Sequence, residues 1–174
     1  MKKYLDMSEA DGASIFIKGV ELAAAGTDVY SMSVRDKNAE YDRLAKEYDI
    51  HFIFDDHIPE IDFYTIPYIN IMAVDSSGGY FGTVGEMGGI ESEAPVCYIS
   101  KDRKCYLAAD NLKALLQQLD SWKENMTEME DITFYKTKED AKAVNDFVDI
   151  EEVLDNLNTR CSTENLPNAR FLHR

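Results

Sequence analysis

Between Tyr68 and Ala108 short β-branched and aromatic runs alternate with turn residues, a pattern that a small antiparallel sheet satisfies. Tyr68 to Asp75 is the strongest strand. Gly78-Gly79 supplies the permissive backbone of a reversal, and Tyr80 to Val84 follows as the second arm of a β-hairpin. Pro95 to Ser100 and Lys104 to Ala108 make another hairpin around Lys101-Asp102-Arg103, and His51 to Phe54 reads as a further short strand.

Helical spacing flanks this region. Ser8 to Ala25 opens on a serine N-cap with Asp11 three residues on and closes at Gly26, so it is predicted to be a helix burying Ile15, Phe16, Val20 and Ala23. Gly12 and Gly19 weaken it. Lys37 to Tyr48 repeats Tyr41, Leu44, Ala45 and Tyr48 at helical intervals. After the sheet, Asp110 is expected to cap a helix that runs to Trp122 with Leu112, Leu115, Leu116 and Leu119 on one buried face. Thr137 to Asp140 and Asp149 to Glu152 each resemble a capping box, and the tail past Arg160 is expected to be partly disordered.

With 174 residues and an apolar fraction of 45%, the chain suits one compact domain. No window is apolar enough for a membrane span, and Met1 to Asp11 lacks the apolar stretch of a secretion signal, so a cytoplasmic protein is expected. The three cysteines, Cys97, Cys105 and Cys161, form no C-x-x-C pair and read as reduced thiols. A net charge of −15 opposes association with nucleic acid or anionic membranes and favours a basic partner, although solubility alone would also account for it.

The stretch from Ile66 to Leu119 resembles the SUKH superfamily. The similar features are, in order, the strand Ile69 to Val74, the turn Asp75-Ser-Ser-Gly-Gly79 followed by Tyr80-Phe81, the strand from Pro95 through Tyr98, and Cys105-Tyr-Leu-Ala-Ala leading into the leucine helix. The resemblance covers about a third of the chain. It includes bacterial immunity proteins of polymorphic toxin systems and fungal regulators of cell-wall synthesis. The resemblance therefore implies a non-enzymatic protein-binding module. Immunity proteins of this superfamily block toxins, many of them nucleases or deaminases with basic clefts, and a regulator or scaffold like the fungal relatives is the alternative.

One charge feature stands out: from Lys46 to Lys101 there is no intervening lysine or arginine, while acids accumulate. Asp55, Asp56, Glu60, Asp62, Asp75, Glu86, Glu91 and Glu93 are the expected partner-binding acids, with Glu47 and Asp49 in the same interval. The bland alternative is a solvated face with no partner. Tyr80, directly after the hairpin turn, is the aromatic most expected to be an exposed anchor; Phe63, Tyr64, Tyr68 and Phe81 equally suit the core.

His51, Asp55, Asp56, His57 and Glu60 cluster in sequence, but without H-E-x-x-H spacing and beside Pro59 they predict no metal site. Cys97 and Cys105 sit in strands and read as core thiols. The glycines Gly78 to Gly89 match no phosphate-binding motif, so neither cofactor nor catalytic residue is expected. The fold class expected is α+β: N-terminal helices, a central mainly antiparallel sheet, and a helix packed on one face. The domain core spans residues 8–125, and residues 126–174 form a C-terminal helical extension.

Overall fold

The computed structural model describes residues 2–10, 21–85, 92–152 and 155, and it is an α+β fold built on a mixed, mainly antiparallel sheet. Five strands make an antiparallel meander: β6 (Ile69–Val74), β7 (Tyr80–Val84), β8 (Val96–Ile99), β9 (Cys105–Ala109) and β10 (Thr127–Glu128). The other side of β6 is shared. β3 (Thr27–Val29) runs parallel to Ile69–Ile71, and β4 (His51–Phe52) runs antiparallel to Ala73–Val74. β7 can lie close against β6 because of Gly82, where a Cβ would fall 2.7 Å from the Ile69 Cγ2 and 2.9 Å from the Asn70 carbonyl oxygen.

Both faces of the sheet are covered, which explains why Ile69 through Ala73 is buried without alternation. On one face Met72, Phe81, Val96 and Ala108 pack against Leu112, Leu115 and Trp122. Leu112 and Leu115 lie on α3 (Leu112–Gln117), Trp122 on α4 (Trp122–Asn125), and α2 (Ala39–Tyr48) lies beside them. On the other face Ile69, Ile71, Cys97 and Ile99 meet Ile53, Phe63 and Ile132 from irregular segments. A third cluster of Ala25, Tyr64, Ile66 and Ala141 joins β2 (Glu21–Ala25) to β5 (Tyr64–Ile66) and α5 (Lys138–Val144). There β1 (Lys2–Asp6) pairs in parallel with β2, and β11 (Thr133–Tyr135) pairs with β5. Asp6, 1% exposed, is ion-paired to Lys138 on α5.

The two hairpins and the helix ending at Tyr48 follow the sequence expectation, with α2 capped by Asn38 accepting from the Glu40 N–H at 2.9 Å. The N-terminus does not. Glu21–Ala25 is a strand, and among the described residues before it Met7–Ala10 (α1) is helical; Gly12, Ile15, Phe16, Gly19 and Val20 lie outside the described residues. Alanine's helix propensity in Leu22 to Ala25 is overridden by long-range backbone bonds, Tyr68 N–H to Ala24 O at 2.9 Å and Gly26 N–H to Thr65 O at 2.8 Å. Gly26, at φ 120°, links β2 to β3 and does not end a helix. Ser8 donates to Asp6 through its N–H and its hydroxyl, so the carboxylate is the local capping group.

The leucine helix is also shorter than predicted. Asn111, not Asp110, caps it by accepting from the Ala114 N–H at 2.8 Å, and a turn at Gln118 to Ser121 separates α3 from α4. Within α3, Leu116 lies about 100° round the helix from Leu115 and is 37% exposed, while Leu115 stays at 1%. Leu115→Ala is therefore expected to cost about 2–5 kcal/mol and Leu116→Ala under about 1 kcal/mol in urea denaturation. Equal losses would contradict this facing of α3. The segment after Asn125 is not solely helical, since β10 extends the central sheet and β11 covers β5. Thr137 caps α5 as its motif predicts, accepting from the Asp140 N–H at 3.2 Å, and Asp149 accepts from the Glu152 N–H at 3.1 Å. Residues past Arg160 lie outside the described residues.

Candidate functional site: an acidic loop around an exposed isoleucine

The acids of the basic-free interval are not gathered on one surface. Asp75 lies in the β6–β7 hairpin at one end of the sheet, whereas Glu93 precedes β8 at the other. Glu86 and Glu91 lie outside the described residues. Glu93 is exposed and accepts from the Asn111 side-chain amide at 2.9 Å.

Asp75 is half-buried, and donors from its own hairpin and from Tyr98 converge on its carboxylate. It accepts from the Tyr98 hydroxyl at 2.6 Å, the Gly79 N–H at 2.7 Å, and the Ser77 N–H and hydroxyl. Gly79 is needed for this arrangement, since a Cβ there would lie 2.4 Å from the Tyr98 hydroxyl oxygen. Burial alone would raise the Asp75 pKa, but those donors together hold it below the usual value of 3.8. Burial, followed by the bond to Asp75, pushes the Tyr98 hydroxyl up to about 12. The folded carboxyl is the more acidic state, so its stabilisation is full above the unfolded pKa and is lost as pH falls through the folded one. Asp75→Asn is expected to lower stability at neutral pH by about 1–3 kcal/mol. The gap to the parent should close below about pH 4; a gap independent of pH in acid and neutral urea melts would sink this reading.

Tyr80 is not the free anchor expected either. It is half-buried, stacked edge-on to Phe63 with ring centroids 5.4 Å apart. Arg103, which adopts a left-handed φ of 63°, places its guanidinium 4.5 Å from the Phe63 ring and 5.7 Å from Tyr80. The same guanidinium pairs with Asp62 at 2.5 Å. Asp62 thus ties the β4–β5 loop to the β8–β9 turn while its side chain stays exposed.

Asp55, Asp56 and Glu60 do share one loop, and all three are exposed. The segment is anchored at its start by Met32 N–H to Ile53 O at 3.0 Å and Asp55 N–H to Met32 O at 2.8 Å, and at its end by the Asp62–Arg103 pair. Asp55 also accepts from the Val34 N–H at 2.9 Å. The His57 N–H to Phe54 O bond closes a turn that leaves Ile58 54% exposed among the acids. An interface favours such an apolar side chain in a polar rim, on a backbone already ordered. Ile58 was not singled out by the sequence; the signal available was an aliphatic residue before Pro59 with acids on both sides. The fold also brings Lys37 to 5.5 Å from the Phe54 ring, so the acidic surface has a basic border that the sequence interval does not reveal.

The other candidates for chemistry are accounted for locally. His51 Nε2 is 2.8 Å from Asp49 Oδ1, and Asp49 accepts from the Ser76 hydroxyl at 2.6 Å, which leads the interactions that lower its pKa. Among the described residues no group of three or more His, Cys, Asp or Glu side chains is placed to hold a metal ion. Cys97 and Cys105 are both buried, and the Cys97 thiol is pushed up by its neighbour Cys105 and by burial, the reverse of an activated nucleophile. Among the described residues no helix is long and apolar enough to cross a membrane. In comparisons with family models, curated proteins and solved structures, nothing matched the chain.

Proposed function

We propose that this chain is a non-enzymatic protein-binding module, an immunity protein that neutralises a basic toxin of the nuclease or deaminase kind by stoichiometric binding. The SUKH resemblance supplies the class of partner. The observation that carries the reading is the anchored loop in which exposed Asp55, Asp56 and Glu60 surround the exposed Ile58. In this role the acids draw in the basic cleft and Ile58 seats against an apolar patch beside it. The net charge of −15 adds long-range attraction for such a partner, and the site of action is the cytoplasm.

The test is to search the genes on either side of this one for a basic nuclease or deaminase domain and to titrate that domain with this chain; absence of any such domain would count against the proposal. The domain's activity is expected to fall linearly and reach zero at one equivalent of this chain, with no turnover. Full toxin activity in large excess of this chain would reject the proposal.

A further inference from the structure

A second surface, separate from the acidic loop, lies on the helical face of the sheet. α2 forms one wall of a groove, and α3 with the turn into α4 forms the other. One end is a mostly apolar cleft of about 170 Å³ lined by Tyr41, Leu44, Phe52, Leu112, Leu116 and Leu119, with Asn38 and the Arg43-paired Glu40 at its rim. The other end is a polar cleft of about 460 Å³, and the two clefts share Leu119. In the polar cleft four carboxylates, Glu47, Asp49, Asp120 and Glu124, face two lysines, Lys46 and Lys123. Glu47 already pairs with Arg43, whereas Asp120 and Glu124 make no ion pair among the described residues.

We propose that this groove docks a short amphipathic helix of a protein partner, with an apolar stripe on Leu116 and Leu119 and basic residues at the end that meets Asp120 and Glu124. Two features select that occupant. Leu116, on the outer side of α3 and 37% exposed, leaves with Leu119 an apolar wall at one end, which a leucine-bearing stripe covers. The excess of carboxylates at the other end favours lysine or arginine there over an acidic or neutral segment. α2 spans ten residues, about 15 Å, so the guest covers roughly three turns. The acidic loop takes no part, so the two surfaces can fail independently.

The chain's single tryptophan, Trp122, lines the polar cleft and reports on occupancy. The probe is a synthetic helical peptide with a leucine stripe and lysines clustered at one end, added to the full chain in near-physiological salt. Calorimetry is expected to give one-to-one binding, and Trp122 emission a saturable change. Leu116→Asp and, separately, Asp120→Lys with Glu124→Lys should each weaken binding by ~10-fold or more, as should exchanging the peptide's leucines for serines at unchanged charge. Glu130→Gln, at an exposed residue lining neither cleft, should leave it unchanged. The Asp120 and Glu124 sites are exposed, so that variant remains informative even if Leu116→Asp fails to fold. The proposal is overturned if the parent does not bind, if the serine peptide binds equally, or if the charge variant binds like the parent. It is also overturned if sedimentation shows a parent dimer that Leu116→Asp separates, because a second copy then fills the groove.

Discussion

Replacing Phe81 with alanine is expected to destabilise the protein by about 3–5 kcal/mol, at the upper end of what a single core truncation costs. Phe81 is 1% exposed and stands between the central sheet and the helices. Its ring centroid lies 5.1 Å from Tyr98 and 5.2 Å from Trp122, so truncation removes two aromatic contacts as well as the transfer energy of the ring. The cavity cannot close easily. Gly82 already brings β7 against Ile69 and Asn70, and Tyr98 is held from its far end by Asp75. Urea denaturation followed by Trp122 emission checks both the energy and the place. A loss below about 1 kcal/mol would mean that α4 does not pack on β7 as described.

The parts of the fold legible in the sequence were those whose determinants are local. The hairpin from Ile69 to Val84 is announced by Gly78, which takes a φ of 89°, and by β-branched or aromatic residues on either side. Thr137 caps its helix with its own side chain three residues on, an interaction written in the spacing, whereas the helix expected from Lys37 starts at Ala39 behind an Asn38 cap that the apolar spacing does not mark. Glu21 to Ala25 failed because its conformation is set by Lys2–Asp6 and by residues near Thr65, neither of them neighbours in sequence. The leucine periodicity from Leu112 to Trp122 is real, but a turn that no glycine or proline marks interrupts the helix after Gln117, and Leu116 lies on the outer side of α3 and not on the buried face.

The acidic residues divide along the same line. That Asp55, Asp56 and Glu60 would be exposed on a loop could be read from composition and Pro59. That Asp75 is consumed by Tyr98 across 23 residues, and Asp62 by Arg103 across 41, could not, because both pairings follow from strand register. Among the described residues, a run of one charge sign in sequence thus divides into acids tied to partners, Asp75 and the still exposed Asp62 among them, and the exposed patch of Asp55, Asp56 and Glu60.

Removing that patch is the other large effect expected. The informative variant combines Asp56→Lys and Glu60→Lys with Asp55→Asn, since asparagine can still accept from the Val34 N–H, and it leaves Asp62 in place to hold Arg103. Folding should be nearly intact. Exposed charges at an interface act mainly by steering the encounter, while desolvated contacts such as that of Ile58 act on dissociation. The decisive measurement is the rate of association of parent and variant with the basic toxin domain, at low salt and near physiological ionic strength. The variant is expected to associate ~10-fold or more slowly at low salt, with the difference shrinking as salt screens the field and the dissociation rate little changed. A folded variant that associates as fast as the parent at low salt would contradict recognition through the Asp55–Glu60 loop.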